Sequence, residues 1–244
     1  TEPSETLELP TTDWLESILS MLFVAAQNGQ TKIRWSAAKG VARVASRLDR
    51  QRASDVIDMV LANFFDAQTS NEYAWHGGCL TLAEMSRQGL ILEEKLEQVM
   101  HVISKAIIYD RIKGSFAVGA HVRESACYVI WAMARTYDDH LLRAHLAQLS
   151  INLMCAIVFD RELQCRRAAS ATFQELIGRQ GAFDAEALAL LANVDYQNVG
   201  QRQFAYLHLA ARVASIGGAK YYEPFVEHLL VSKIGHWDIQ IRRL

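Results

Sequence analysis

The chain has 244 residues, with 25 Lys+Arg against 27 Asp+Glu for a formal net charge of −2, 51% hydrophobic residues and 21% charged ones. That composition excludes intrinsic disorder and collagen, and the near-neutral balance leaves no electrostatic footprint for nucleic acid and no polybasic signal for a membrane. Only 3 Pro and 13 Gly occur, about 7% of the chain against an average of roughly 12%, while alanine supplies about one residue in seven, so helices are favoured over turn-linked strands.

Residues 1–11 are polar, contain two prolines and show no apolar period, which predicts a flexible linker. They lack the basic and apolar regions of a secretory signal. From Asp13, which reads as an N-cap, Trp14, Ile18, Met21, Leu22 and Ala25 recur at helical spacing. The uncharged stretch from Ser17 to Thr31 is broken by Gln27, Asn28 and Gly29, so no bilayer span is expected. A second helix runs from Ile33 to Leu48 with Ala37, Val41, Val44 and Ala45 on one stripe. Further apolar helices are predicted around 50–66, 92–108, 140–159, 184–193 and 220–233.

Between these lie segments that repeat the second helix. They read Ile33-Arg34-Trp35-Ser36-Ala37-Ala38, Ala74-Trp75-His76-Gly77-Gly78-Cys79, Val122-Arg123-Glu124-Ser125-Ala126-Cys127, Cys165-Arg166-Arg167-Ala168-Ala169-Ser170 and Gln201-Arg202-Gln203-Phe204-Ala205, and Ile241-Arg242-Arg243-Leu244 begins a sixth. Arg34 to Arg242 covers five intervals with a mean period of about 42, within the roughly 40–47 of paired-helix HEAT and armadillo units. The expected fold is an all-α, right-handed α-solenoid: residues 12–244 form about five and a half helical repeats, cut from a longer solenoid. Each repeat is an A helix, a tight turn and a B helix. Small residues after each basic position, Gly77 and Gly78 among them, let the B helices approach closely, and no unit buries its apolar face alone.

The basic position that opens each B helix reads as a structural ladder of Arg34, Arg166, Arg202 and Arg242. Asp160 stands six residues before Arg166, the spacing at which a turn aspartate contacts an arginine of its own or an adjacent HEAT repeat; Asn28 stands six before Arg34. Asp195 before Arg202 and Asp238 before Arg242 are displaced versions of the pair, and His76 replaces the arginine in the second unit. Arginine also suits bidentate contact with an acidic partner, so Arg123 and Arg167 are contact candidates as well as framework residues. Trp35 and Trp75 sit beside the basic position and are candidate interface anchors, with His76 next to them. The longest break between helices, Tyr109–Ala120, offers Arg111, Lys113 and Phe116 as a candidate partner loop.

Signals for chemistry are weak. Gly114 to Gly119 has the spacing of the first part of a phosphate loop, but Ala120-His121 occupies the place of the required Lys-Ser/Thr. His76 and Cys79, three apart on a helix, are the minimum for a Cys/His dyad, which would make the chain a helical hydrolase; no orienting acid stands at a usable spacing. The four cysteines form no C-x-x-C pair, and His101, His140, His145, His208 and His228 show no metal-binding spacing, so neither cofactor nor metal is expected, nor an enzyme.

One family accounts for these phrases in order and spacing. Arg34-Trp35-Ser36-Ala37-Ala38-Lys39-Gly40, Ala74-Trp75-His76-Gly77-Gly78-Cys79-Leu80, Val122-Arg123-Glu124-Ser125-Ala126-Cys127-Tyr128 and the run from Phe159 through Asp160 to Ser170 resemble the tubulin-folding cofactor D family, as do Gly178-Arg179-Gln180-Gly181 and His236-Trp237-Asp238. The resemblance runs from about residue 31 to the end. It implies a non-enzymatic, helical-repeat chaperone of the cytoplasm, associated with microtubules or the centrosome, that captures β-tubulin. It further implies work with tubulin cofactors E and C and an ADP-ribosylation-factor-like small GTPase to assemble or take apart the αβ-tubulin dimer. The rival expectations are a HEAT-repeat adaptor for another protein cargo and a passive spacer block.

Overall fold

The computed structural model describes residues 12–66, 71–179 and 185–244; the predicted linker at 1–11 lies outside the described residues. Helices alternate as the period demands. The A helices are α1 (Thr12–Ala26), α3 (Arg50–Phe64), α5 (Glu93–Ala106), α7 (Asp139–Phe159), α9 (Ala185–Asn193) and α12 (Ala219–His228), the last continuing through a π-helical segment, Leu229–Lys233. The B helices are α2 (Thr31–Ala45), α4 (Glu72–Arg87), α6 (Ala120–Thr136) and α8 (Leu163–Arg179). The next is α10 (Arg202–Phe204), which passes through a π-helical segment, Ala205–Leu209, into α11 (Ala210–Gly217); α13 (Ile239–Arg242) is the last. Side-chain caps fix several starts: Asp49 accepts from the Arg52 N–H, Asn71 from those of Tyr73 and Ala74, and Asp238 from that of Gln240. Asp13 lies inside the first turn of α1 instead of preceding it, where its charge complements the helix dipole.

The B helices pack on one another most extensively, α2 on α4, α4 on α6 and α6 on α8. The second of them is sunk deepest. Every residue of α4 from Ala74 to Ser86 is buried, and the cause is Gly77-Gly78. A Cβ on Gly77 would lie 1.8 Å from the Ala26 carbonyl oxygen that ends α1, and one on Gly78 would lie 2.5–2.6 Å from Phe65 and Phe64. Only glycine at both positions lets the helix drop between its neighbours. Cys79 and Cys127 serve as small wall residues, fully buried beside Leu82, Ala83 and Ala126.

Three features depart from a plain helical ladder. The break before α6 is a β-hairpin, β1 (Arg111–Lys113) paired antiparallel with β2 (Phe116–Val118) in the register Lys113↔Phe116, and Gly114 opens its two-residue turn at φ +62°. Helix α7 is long and apolar enough to cross a membrane by length and composition alone. It packs against α5, α8 and α12, and Leu142, Leu149, Leu153, Met154 and Ile157 are buried in the core. The third departure is α9, only 9 residues long. It is too short to separate its neighbours, and α12 packs on α7. Phe159 at the end of α7 meets the rings of Phe225 and His228 at 5.1 and 5.6 Å.

Candidate docking face on the B helices

The arginines that open the B helices act as clamps, buried at Arg34, Arg123 and Arg166 and exposed at Arg242. Arg34 donates through Nη1 to the carbonyls of Asn28 (2.6 Å) and Gly29 (2.9 Å), Arg166 to those of Asp160 (3.0 Å) and Arg161 (3.2 Å), and Arg242 to those of His236 (2.5 Å) and Trp237 (3.3 Å). Each therefore satisfies carbonyls six and five residues back in its own turn. Nε then reaches the following repeat: from Arg34 to His76 Nδ1 (2.8 Å), and from Arg166 to the Val199 carbonyl (2.8 Å). Arg123 obeys the same logic with the hairpin inserted, donating to the Tyr109 carbonyl at 2.9 Å and bidentately to the Asp160 carboxylate at 2.6 and 3.0 Å.

The six-residue rule thus comes from backbone carbonyls, and the Asp160 carboxylate pairs with the preceding repeat. Asp238 caps α13 and Asp195 accepts the Gln197 and Asn198 N–H groups, so neither pairs with the arginine that follows it. Arg202 is half-buried and makes no comparable clamp among the described residues.

Several predicted contact residues are enclosed. Arg123 is 5% exposed and committed to Asp160, so it is a framework residue. Trp75 is 5% exposed, its ring wedged between Phe65 and Tyr109 at 5.2 and 5.1 Å, because the sunken α4 carries it into the core. His76 is buried with it. Arg34 donates to its Nδ1, and burial, then the Arg34 charge and His121, push its pKa down to about 3, so the imidazole is neutral. Burial raises the Cys79 thiol to about 12. Arg34 thus occupies the Nδ1 of His76, and burial keeps the Cys79 thiol protonated. Arg167 is half-buried with its guanidinium 3.7 Å from the Tyr196 ring centroid, an inter-repeat stack. On the hairpin, Lys113 is held by Glu72 of α4 at 2.6 Å and Arg111 bonds the Tyr109 hydroxyl, while Phe116 and Ile112 are 55% and 58% exposed.

What remains open on the B face is an aromatic strip. Trp35 of α2, 36% exposed, stacks on Tyr128 of α6 at 5.6 Å, bridging over the sunken α4; Tyr128 stacks on Trp131 at 5.9 Å. Lys39 lies over Trp35 at 5.6 Å and Arg135 over Trp131 at 4.6 Å. The strip borders a groove of about 450 Å³, with Leu80 and His76 in α4 and Ala168, Ala171 and Thr172 in α8 also lining it. Among the described residues no group of three or more His, Cys, Asp or Glu is placed to hold a metal ion.

Residues 1–186 match the family model described as tubulin-specific chaperone D-like, ARM repeats. The chain belongs to this family. It is 37% identical over 220 residues to the tubulin-specific chaperone D of Dictyostelium discoideum, covering 88% of the chain and 15% of that protein. It is 27% identical over 243 residues to the tubulin-folding cofactor D of Schizosaccharomyces pombe, covering 95% of the chain and 22% of that protein. The chain thus spans about a fifth or less of the length of these relatives. A crystal structure of a Kap121p mutant superposes with TM-score 0.54 at 16% identity over 94% of the chain and 22% of that protein, which supports the solenoid fold alone.

For a chaperone D-like repeat block the most exposed candidates differ from those that the repeat starts suggested. Arg43, Arg87, Arg135 and Arg179 occupy the last turns of α2, α4, α6 and α8, one in each, and all are exposed. Their spacing of 44, 48 and 44 residues was available in the sequence.

Proposed function

We propose that this block is a non-enzymatic scaffold of a tubulin chaperone and takes part in capturing β-tubulin, its B face serving as a docking surface. Tubulin cofactors E and C and an ADP-ribosylation-factor-like small GTPase are the further partners of this reading, and dimer assembly and disassembly in the cytoplasm, at microtubules or the centrosome, is its setting. The observation that carries it is the family membership of the chain, whose relatives are named for tubulin folding. The aromatic strip supports the choice of face. Its rings are held by stacking and by Lys39 and Arg135, so little side-chain freedom is lost on docking, and Trp, Tyr and Arg are the residue types that dominate protein interfaces.

The test is binding of purified αβ-tubulin to this chain by analytical size exclusion, with Trp35→Ala/Trp131→Ala as the variant. Expected is a complex with the parent chain and at least about a tenfold loss of affinity in the variant at unchanged circular dichroism, since interface anchors contribute about 2 kcal/mol or more. Undiminished binding by the variant would remove the B face from the reading, and absence of any complex would remove capture by this block.

A further inference from the structure

The net charge of −2 conceals a segregation by helix type. The B helices α2, α4, α6, α8, α10–α11 and α13 carry 13 Lys+Arg against 4 Asp+Glu, whereas the A helices, with the π segment that continues α12, carry 7 against 11. Part of the B-side excess is consumed in the buried clamps. The rest surfaces along the aromatic strip. Trp35, Lys39 and Arg43 follow one another at four-residue spacing on α2, so they share a face. Arg87 reaches the Tyr128 hydroxyl at 3.4 Å, and Arg135 crosses from α6 to Glu175 of α8 at 3.3 Å, which Arg179 also holds at 2.9 Å. Lys39, Arg43, Arg87, Arg135 and Arg179 thus line four successive B helices. Among the described residues only Glu84 and Glu175 pair with any of them. The row keeps an excess of three positive charges beside three stacked rings, or two once Glu124, which also lines the groove, is counted.

We propose that this row and the aromatic strip bind an extended acidic polypeptide segment carrying an aromatic or aliphatic side chain. The inference rests on the reading of the B face as a docking surface and adds the chemistry of what docks there. Charge complementarity selects the occupant: the net positive charge of the row attracts carboxylates and repels a basic segment. The rings offer apolar area to one large side chain. Geometry sets the length. Four packed helices present three interaxial steps of roughly 9 Å each, and an extended chain advances about 3.3 Å per residue, so about eight residues follow the row from Arg43 to Arg179.

The experiment is fluorescence polarisation with the chain and a fluorescein-labelled, Glu-rich peptide of about a dozen residues containing one central Phe, against a Gln-for-Glu peptide of the same length. The acidic peptide binds the parent chain, with affinity falling as salt rises. Arg43→Glu/Arg135→Glu weakens it at least about tenfold, since two attractions become repulsions. The variant Arg50→Glu/Arg52→Glu, on exposed positions of α3, changes the net charge by the same amount and leaves binding within about twofold. Equal binding of the acidic and Gln peptides would overturn the proposal, as would equal losses in the two charge-reversed variants. The outcomes are separable from those of tubulin capture: tubulin binding without peptide binding defeats this inference alone, and peptide binding without tubulin binding leaves it standing while the tubulin reading falls.

Discussion

Burying Arg123 and Asp160, with side chains 6% and 5% exposed, removes both charges from water, and their bidentate contact, their remaining hydrogen bonds and the Asp110 carboxylate 3.6 Å from Arg123 offset that cost. Asp160 accepts Arg123 and the Glu162 N–H through its carboxylate and Arg166 through its carbonyl, so it ties three parts of the stack together. Asp160→Asn leaves the guanidinium with only the more distant Asp110 carboxylate, at 3.6 Å, and is expected to cost about 3 kcal/mol in urea unfolding. Arg123→Met/Asp160→Leu, which removes both charges, should recover much of that loss. His76 gives a pH signature. Its folded pKa of about 3 lies below the 6.5 of the free side chain, so the unfolded chain binds the proton first. Its contribution is therefore intact above about pH 6.5 and declines as pH falls toward 3, with a slope of up to about 1.4 kcal/mol per pH unit. His76→Asn retains an acceptor for Arg34 and should flatten that part of the stability curve measured by urea titration between those pH values. An unchanged slope would show that other groups, His228 among them, dominate acid destabilisation.

Helix α4 owes its depth to two glycines, and the two positions differ from Gly178, where a Cβ would meet nothing within 4 Å. Gly77→Ala drives a methyl into the backbone at the end of α1. Backbone does not rotate away as a side chain does, so α1 must lift off α4. Expected are a drop in Tm of several degrees, at about 2–4 °C per kcal/mol for a chain of this size, and loss of amide protection in α1 around Leu19 and Phe23 before α6 and α8. Gly178→Ala, near the end of α8, should leave Tm unchanged or raise it slightly through helix propensity. The alternation of A and B helices was legible because it is a local signal: apolar period, small residues and caps all lie within one helix. The hairpin was not, since strands of three residues are too short to show alternation. The π-helical segments were not either, because nothing in the local pattern of Ala205–Leu209 or Leu229–Lys233 distinguishes them from α-helix; what sets their register is packing against other repeats. In the candidate site, position along the B helix misled. Arginines at the helix starts look like contacts but face the carbonyls of the preceding turn, whereas those in the last turns have no such partners and stay outside.

Solenoid energetics ordinarily sum over nearest neighbours, and the C-terminal half breaks that rule. Because α9 is short, α12 lies on α7, and Phe159 becomes a joint between non-adjacent repeats. Its ring meets Tyr206 at 5.2 Å, Phe225 at 5.1 Å and His228 at 5.6 Å, and its carbonyl accepts the Tyr206 hydroxyl at 2.5 Å. A second tie runs along the turns: Trp237 Nε1 donates to Asp110 at 3.3 Å, across 127 residues of sequence, and Arg161 bonds the same carboxylate at 2.6 Å. Long-range ties of this kind should make the described repeats unfold together. Phe159→Ala deletes a fully buried ring and is expected to cost about 3–5 kcal/mol, but its larger consequence is for cooperativity. With the joint gone, nearest-neighbour contacts and the peripheral Asp110–Trp237 tie are what hold α10 to α13 to the rest, and the molecule should unfold in two steps. Trp237 reports the C-terminal part and Trp35, Trp75 and Trp131 the remainder, so single-tryptophan versions of the parent should give coincident urea transitions. The same versions carrying Phe159→Ala should show the Trp237 transition at lower urea. Coincident transitions in both backgrounds would mean that the B-helix stack and the remaining contacts suffice to hold the repeats as one unit.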